Sequence, residues 1–266
     1  MNTRLAWLAW LLPALWLAGC STSRYSQHHD SAPLRDIDAN RVPDAVPRHE
    51  PPSKYGNPAS YTVNGRRYYV LGSAAGYAER GIASWYGNKF HGHRTSSGET
   101  YDMYAMTAAH KTLPLPSYVR VTNLKNGRTV VVRVNDRGPF HRNRLIDLSY
   151  VAAKKLGIID SGTGLVEVVA VQPGAPRQKT AARKSAAPDD TQLYLQVGAF
   201  VSRHNAEQLR DRLHRRYTRL TIRSAYSPDR KLYRVRIGPL DNVEEADRLA
   251  ASLAREGFRA PHIVID

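Results

Sequence analysis

A small closed β-barrel followed by an α+β sandwich of β-α-β-β-α-β order is the fold class that the sequence predicts, mainly β in its first module and mixed in its second. Three observations carry it. Residues 79–171 contain short β-type runs punctuated by turn residues, with room for one or two helices, a pattern of small barrels rather than of layered αβ domains. Residues 191–266 repeat a strand-then-helix unit: Val197-Gly198 recurs as Ile237-Gly238, and Ala206, Leu209 and Leu213 recur as Ala246, Leu249 and Leu253, all at an offset of 40. Segments with little apolar periodicity set the modules apart, a lead-in over 20–78 and an Ala-, Lys- and Pro-rich linker over 172–190. A chain of 266 residues has room for two modest domains and these connections.

The first residues read as an address. Arg4 is a positive flank, Leu5 to Leu17 is an apolar run too short to span a bilayer, and small residues lead to Cys20. Leu17-Ala18-Gly19-Cys20 resembles the bacterial lipobox, which implies a cleaved leader over 1–19 and lipidation of Cys20, the membrane anchor. Ser21 after it, rather than Asp, favours the outer membrane of a Gram-negative cell. Cys20 is the only cysteine, so no disulfide and no thiolate metal site is available. Residues 21–60, with Pro33, Pro43, Pro47, Pro51, Pro52 and Pro58, read as an extended tether that need not fold. The 39 Lys+Arg against 23 Asp+Glu give +16. In a cytoplasmic protein that surplus points to nucleic acid; outside the cytoplasm it points to an anionic envelope polymer, and the lipobox excludes nucleic acid as the partner.

In the first module, Val119–Asn123 and Thr129–Val134 flank Asn126-Gly127, a turn dipeptide that closes hairpins. Asn135-Asp136-Arg137-Gly138-Pro139 follows. Ile146-Asp147-Leu148-Ser149 leads into one helix, Tyr150 to Leu156, stopped by Gly157. A last strand runs from Val166 to Val171.

In the second module, Leu193, Leu195 and Val197 alternate as a strand does, and so do Tyr233, Val235 and Ile237. The Ala-Leu-Leu stripes mark two helices, capped by Ser202 and by Asn242 with Glu245 three residues on. Leu220 with Ile222, and Ile263 with Ile265, supply the remaining strands of a ferredoxin-like split βαβ sandwich. No segment carries the aromatic pattern with which an RNA-recognition motif of the same topology stacks bases. Leu195-Gln196-Val197-Gly198-Ala199-Phe200, with Tyr233-Arg234-Val235-Arg236-Ile237-Gly238-Pro239-Leu240, resembles the SPOR domain. That resemblance implies binding of peptidoglycan glycan strands stripped of stem peptides, which accumulate at division septa. Gln196, Phe200, Tyr233 and Arg234 form the expected glycan-facing set; Phe200 and Tyr233 fit a core equally well.

Ala83-Ser84-Trp85-Tyr86-Gly87, Thr107-Ala108-Ala109-His110-Lys111-Thr112-Leu113-Pro114 and Val132-Arg133-Val134-Asn135-Asp136-Arg137-Gly138-Pro139-Phe140 resemble the rare lipoprotein A family, whose lipobox, barrel and SPOR domain stand in this order. The resemblance implies a six-stranded double-psi β-barrel and a lytic transglycosylase that cuts between N-acetylmuramic acid and N-acetylglucosamine in naked glycan, with no cofactor and no metal. Cleaving a glycosidic bond requires a proton for the leaving oxygen and stabilisation of an oxocarbenium-like centre. A hydrolase adds a second carboxylate; a lytic transglycosylase lets the muramic acid C6 hydroxyl attack, so one carboxyl can serve as acid and then base.

Asp136, just past a hydrophobic strand, matches the barrel aspartate of related transglycosylases. Glu99 and His110 match the family's other polar positions, Glu99 for acid/base support or substrate orientation and His110 for hydrogen-bonding a carboxylate or the sugar. Asn135 and Arg137 are expected to hold substrate, and Trp85 and Tyr86 to be core or a sugar-stacking platform. The residue types also fit a turn aspartate, a satisfied core histidine and a solvated glutamate. His91 and His93 near Glu99 and His110 suggest zinc, but no spacing enforces it. An expansin-like barrel that binds wall polysaccharide without cutting it is the alternative function. Protein partners are not indicated.

Overall fold

A computed structural model describes residues 30–34, 37–141, 143–174, 192–218, 220–228, 231–240, 242–258 and 261–265. The leader, Cys20 and the linker residues 175–191 lie outside the described residues.

The lead-in corrects one expectation: it is docked on the barrel rather than trailing as a tether, already at Asp30 and Ser31, which accept hydrogen bonds from the amides of Gly87, Asn88 and Lys89. A single 3-10 turn, Ala39–Arg41, is capped by Asp38 and buries Ala39 in the barrel core. Lys154 Nζ donates to the Ile37 carbonyl and Lys155 Nζ to the Val42 carbonyl, at 2.8 and 3.0 Å. Further on, Ala45 N donates to the Val131 carbonyl and Ser53 N to the Leu115 carbonyl. Ile37, Val42 and Ala45 also pack against the core, but at irregular spacing. Backbone and lysine hydrogen bonds add to this packing, and neither follows a strand or helix period, so hydrophobic periodicity carried no sign of it. The lead-in ends in an antiparallel hairpin, β1 (Ser60–Val63) and β2 (Arg66–Tyr69), turned by Asn64-Gly65 at positive φ.

Six strands then form the closed barrel: β3 (Ala78–Tyr86), β4 (Thr107–His110), β5 (Ser117–Asn123), β6 (Thr129–Asp136), β7 (Arg144–Ser149) and β8 (Thr163–Ala170). Around the barrel the order is β3-β7-β4-β6-β5-β8, with β3/β7 and β4/β6 parallel and the other pairs antiparallel. Val119, Val121, Val130, Val132, Val134, Val166 and Val168 alternate into the core, as the β-branched runs predict. The β5-β6 hairpin forms, but residues 124–128 intervene, so Asn126-Gly127 closes a longer loop than a two-residue turn. Asn123 and Asn126 side chains both donate to the Leu156 carbonyl, which ties that loop to the end of helix α1 (Tyr150–Leu156). Ser149 caps α1 and Gly157, at φ 77°, ends it.

The second module contains β9 (Leu193–Phe200), α2 (Arg203–Arg216), β10 (Ile222–Ser227), β11 (Leu232–Leu240), α3 (Val243–Arg255) and β12 (His262–Ile265). The antiparallel sheet runs β10-β11-β9-β12, and Ser202 and Asn242 cap the helices as expected. Both glycines of the repeat sit at irregularities on the two central strands. Val235 pairs with Gly198 but Arg236 with Gln196, which makes Val197 an extra residue, and the β11 register slips again at Gly238-Pro239. Each glycine is also needed for space: a Cβ on Gly198 would lie 2.8 Å from Leu209 of α2, and one on Gly238 2.8 Å from the Leu193 carbonyl.

Candidate active site

A bulge aims Asp136. On β4 and β6, Ala108 pairs with Val134 but Ala109 with Asp136, so Asn135 is the extra residue. Strict alternation from Val130, Val132 and Val134 would direct Asp136 into the barrel core. The bulge instead places it level with Ala109, which packs with Tyr86, Tyr101, Met103 and Tyr150 in a cluster separate from that core. Ala109 is level with Asp147 on β7, and Asp147 with Ser84 on β3.

A tight turn supplies Asp136 with donors. Thr95 N donates to the Glu99 carbonyl and Gly98 N to the Thr95 carbonyl, with Gly98 at φ 93°. This turn presents Ser96, whose amide N and Oγ donate to Asp136 Oδ1 at 2.7 and 2.6 Å; Arg137 N donates to the same oxygen at 2.7 Å. All three bonds fall on Oδ1, so Oδ2 is the oxygen left to exchange a proton with a ligand.

Glu99 is held as a carboxylate. Arg133 Nη1 and Asn135 Nδ2 both donate to its Oε2 at 2.8 Å. Partial burial pushes its pKa up, but the Arg133 and Asn135 hydrogen bonds outweigh burial and bring it below the ordinary value. Arg133 is fixed from behind by Glu50, which accepts from Nε at 2.9 Å and Nη2 at 2.7 Å. That fork, with a hydrogen bond from Tyr118 against some opposing burial, lowers the Glu50 pKa to about 2. Asn135 is buried, its Nδ2 taken by Glu99 and its Oδ1 without a partner among the described residues, so it orients Glu99 rather than holding substrate.

Two other expectations change. Arg137 does not reach a ligand: Nε donates to the Gly56 carbonyl, Nη1 to the His110 and Leu113 carbonyls, and Nη2 to Asn57 Oδ1. It clamps the lead-in to the barrel. The His110 ring bonds neither Asp136 nor Glu99. Its Nδ1 accepts from Thr112 N and Leu113 N, which places the proton on Nε2, 2.9 Å from the Tyr77 hydroxyl, and that hydroxyl donates to Glu79. Burial foremost, then Lys111 and Arg137, brings the His110 pKa down to about 3.

Tyr86 is core, stacked on Tyr101 at 4.1 Å and edge-on to Phe90, so it offers no sugar platform. Trp85 is half-buried, edge-on to Tyr150 at 5.7 Å. The glycan-facing set of the second module divides. The Val197 bulge turns Phe200 toward the helices, opposite Tyr233, and both pack on the core, while Gln196 and Arg234 are half-buried on the sheet's other face, where Arg234 lines a cleft with Arg80, Lys111 and Arg144 of the first module. Among the described residues no three His, Cys, Asp or Glu side chains gather as a metal would require.

Sequence reasoning missed Ser96, Glu50 and Asp147. Arg133 carried a signal, a charge set within a run of valines, but Glu50 lies in a segment without periodicity. Asp147 was read only within the run that leads into the helix; it is part-buried, accepts a hydrogen bond from Ser84 Oγ, and desolvation raises its pKa.

A family profile described as lytic transglycolase matches residues 78–168, and one described as SPOR domain matches residues 189–264. The endolytic peptidoglycan transglycosylase RlpA of Pseudomonas aeruginosa is 41% identical, with 89% of this chain and 84% of that one covered. The chain belongs to the rare lipoprotein A family. The Vibrio cholerae member, also named endolytic peptidoglycan transglycosylase RlpA, is 41% identical over 96% of this chain and 95% of its own. Among solved structures, Streptomyces papain inhibitor (SPI) aligns at 27% identity and a TM-score of 0.29, over 35% of this chain and 96% of that one. The closed six-stranded barrel is thus the double-psi barrel of rare lipoprotein A proteins, followed by their SPOR domain.

Proposed function

We infer that this protein is an endolytic peptidoglycan transglycosylase that cuts the bond between N-acetylmuramic acid and N-acetylglucosamine in strands lacking stem peptides. The observation that carries this reading is the one-sided anchoring of Asp136. A proton on Oδ2 leaves every Oδ1 hydrogen bond intact, so the same carboxyl can give its proton to the leaving glycosidic oxygen and then take one from the muramic acid C6 hydroxyl as that oxygen bonds C1. The product is a 1,6-anhydro ring, and Asp136 ends protonated as it began. Glu99, kept ionised by Arg133, supports the positive charge at C1 and orients the sugar.

Asp147 is the one other carboxylate level with Asp136. Desolvation raises the Asp147 pKa and so disfavours the ionised form that a water-activating base needs, which makes a hydrolase the weaker reading. The SPOR sheet presents Gln196 and Arg234 to denuded strands. Lipidated Cys20 anchors the protein on the periplasmic side of the outer membrane, and SPOR binding enriches it at the septum. The test is incubation with amidase-stripped sacculi and mass analysis of soluble products. Disaccharides ending in 1,6-anhydro-N-acetylmuramic acid support the reading; no soluble sugar from folded protein supports an expansin-like binder instead.

A further inference from the structure

Segment 53–57 packs against the turn that holds Asp136. Ser53 Oγ and Asn57 Nδ2 donate to the Leu115 carbonyl at 2.8 and 2.7 Å, and Leu115 N donates to Asn57 Oδ1 at 2.8 Å. Gly56, at φ 84°, lies so close to the Ser96 peptide that a Cβ would sit 2.7 Å from the Ser96 carbonyl oxygen. Beside it the Tyr55 ring comes within 3.1 Å of the Cβ position of Gly98, the residue before Glu99. Tyr55 nevertheless remains 55% exposed. The Lys54 ammonium stands 5.6 Å from the centroid of this ring, so a sugar would take the face that Lys54 leaves or displace that long side chain.

Phe140, four residues beyond Asp136, shows the same combination. It is 38% exposed, yet its ring is fixed 6.2 Å from Tyr61 and 5.8 Å from Tyr68 of the lead-in hairpin. Tyr61 is fixed in turn, its hydroxyl donating to the Lys111 carbonyl at 2.7 Å and its ring 5.9 Å from the guanidinium of Arg137. Exposed aromatics held in place by neighbours expose apolar surface at a cost in water, and they suit ligands that present flat apolar faces. Pyranose rings present such faces through their axial C–H bonds.

We propose that Tyr55 and Phe140 are saccharide-stacking subsites for the amino-sugar rings of a glycan strand, so that the lead-in segment is a wall of the substrate cleft. This rests on the transglycosylase reading for the identity of the ligand. Two platforms, one beside the turn that binds Asp136 and one four residues beyond it, fit an endolytic cut, which needs several sugar rings of a strand bound at once. They also give Gly56 and Gly98 a function, since a side chain at either would push Tyr55 or the Ser96 turn out of place.

The experiment uses the full chain, and strands freed of stem peptides by amidase as the probe. Tyr55→Ala and Phe140→Ala should each raise KM about tenfold with kcat within about twofold, the loss of roughly 1.4 kcal/mol of binding shared by ground and transition states. Tyr55→Phe and Phe140→Tyr should restore KM, because the ring, not the hydroxyl, is the contact. A readout without turnover separates this from the reaction itself: with Asp136→Asn and Tyr55→Trp combined, strands should shield the added indole from acrylamide. Shielding in a protein that proves inactive would leave the subsites standing and remove only the assigned reaction. Wild-type KM in both alanine variants, a fall in kcat that the aromatic replacements do not rescue, or an indole quenched equally with and without strands would overturn the proposal.

Discussion

Ser96 spends both of its donors on a single oxygen of Asp136, the amide at 2.7 Å and the hydroxyl at 2.6 Å. Two carboxylate oxygens that differ this much in their surroundings have different work to do. Oδ1 fixes the orientation of the group, and Oδ2 is the oxygen that the proposed mechanism uses.

Asp136→Asn keeps the Oδ1 acceptor geometry but cannot shuttle a proton, so kcat should fall about 10²–10⁴-fold with the circular dichroism spectrum unchanged. Ser96→Ala removes one hydrogen bond to a charged group, worth about 1.5–3 kcal/mol, and should lower kcat roughly ten- to a hundredfold. Steady-state kinetics on stripped strands checks both.

Glu99→Gln should slow the reaction less than Asp136→Asn, because Glu99 stays ionised and supplies charge rather than a proton. Glu50→Gln breaks the fork behind Arg133 and should mimic part of that loss. Glu50 also contributes to stability. Its folded pKa, about 2, lies below the ordinary 4.5, so its contribution is present above pH 4.5 and is lost as pH falls through about 2. Thermal melts of the wild type and of Glu50→Gln should converge across that window.

His110 titrates with the opposite charge and the same sign. Its folded pKa, about 3 against an ordinary 6.5, means that the unfolded chain binds the extra proton between those values. Stability from this site is therefore complete above pH 6.5 and drains away toward pH 3. In His110→Gln the slope of Tm against pH should flatten between these limits.

Arg137→Ala should destabilise the protein by about 2–3 kcal/mol, since it orphans carbonyls of both lead-in and barrel. Limited proteolysis should then cleave between Tyr55 and Tyr61 faster than in the wild type, where Arg137 bonds Gly56 and Asn57. In the SPOR domain, Arg234→Ala should weaken pelleting on stripped sacculi with little change in Tm, whereas Phe200→Ala should lower Tm, since Phe200 packs on the helix-side core and Arg234 is on the sheet's other face.

The barrel and the sandwich were legible because both rest on alternation. Valines at every second position and helix stripes at i, i+3 and i+7 are periodic, and Ser149, Gly157, Ser202 and Asn242 mark ends by local chemistry. What stayed hidden breaks the period. The bulges at Asn135 and Val197 each turn the residues that follow to the other face, so alternation aimed Asp136 and Phe200 the wrong way. The lead-in was hidden for another reason: it is held by Arg137, Arg133 and the α1 lysines, long-range polar contacts that leave no local pattern. Asp136 and Glu99 were singled out from motif resemblance, and the structure adds which oxygen of each accepts hydrogen bonds.

The attack of the C6 hydroxyl in place of water is the central claim, and oxygen-18 reads it most directly. Turnover of stripped strands in oxygen-18 water should give soluble products whose mass shows no incorporated label, with 1,6-anhydro ends throughout. Products that carry one oxygen-18 at a reducing muramic acid would show that water attacks, and would contradict a mechanism in which Asp136 works alone.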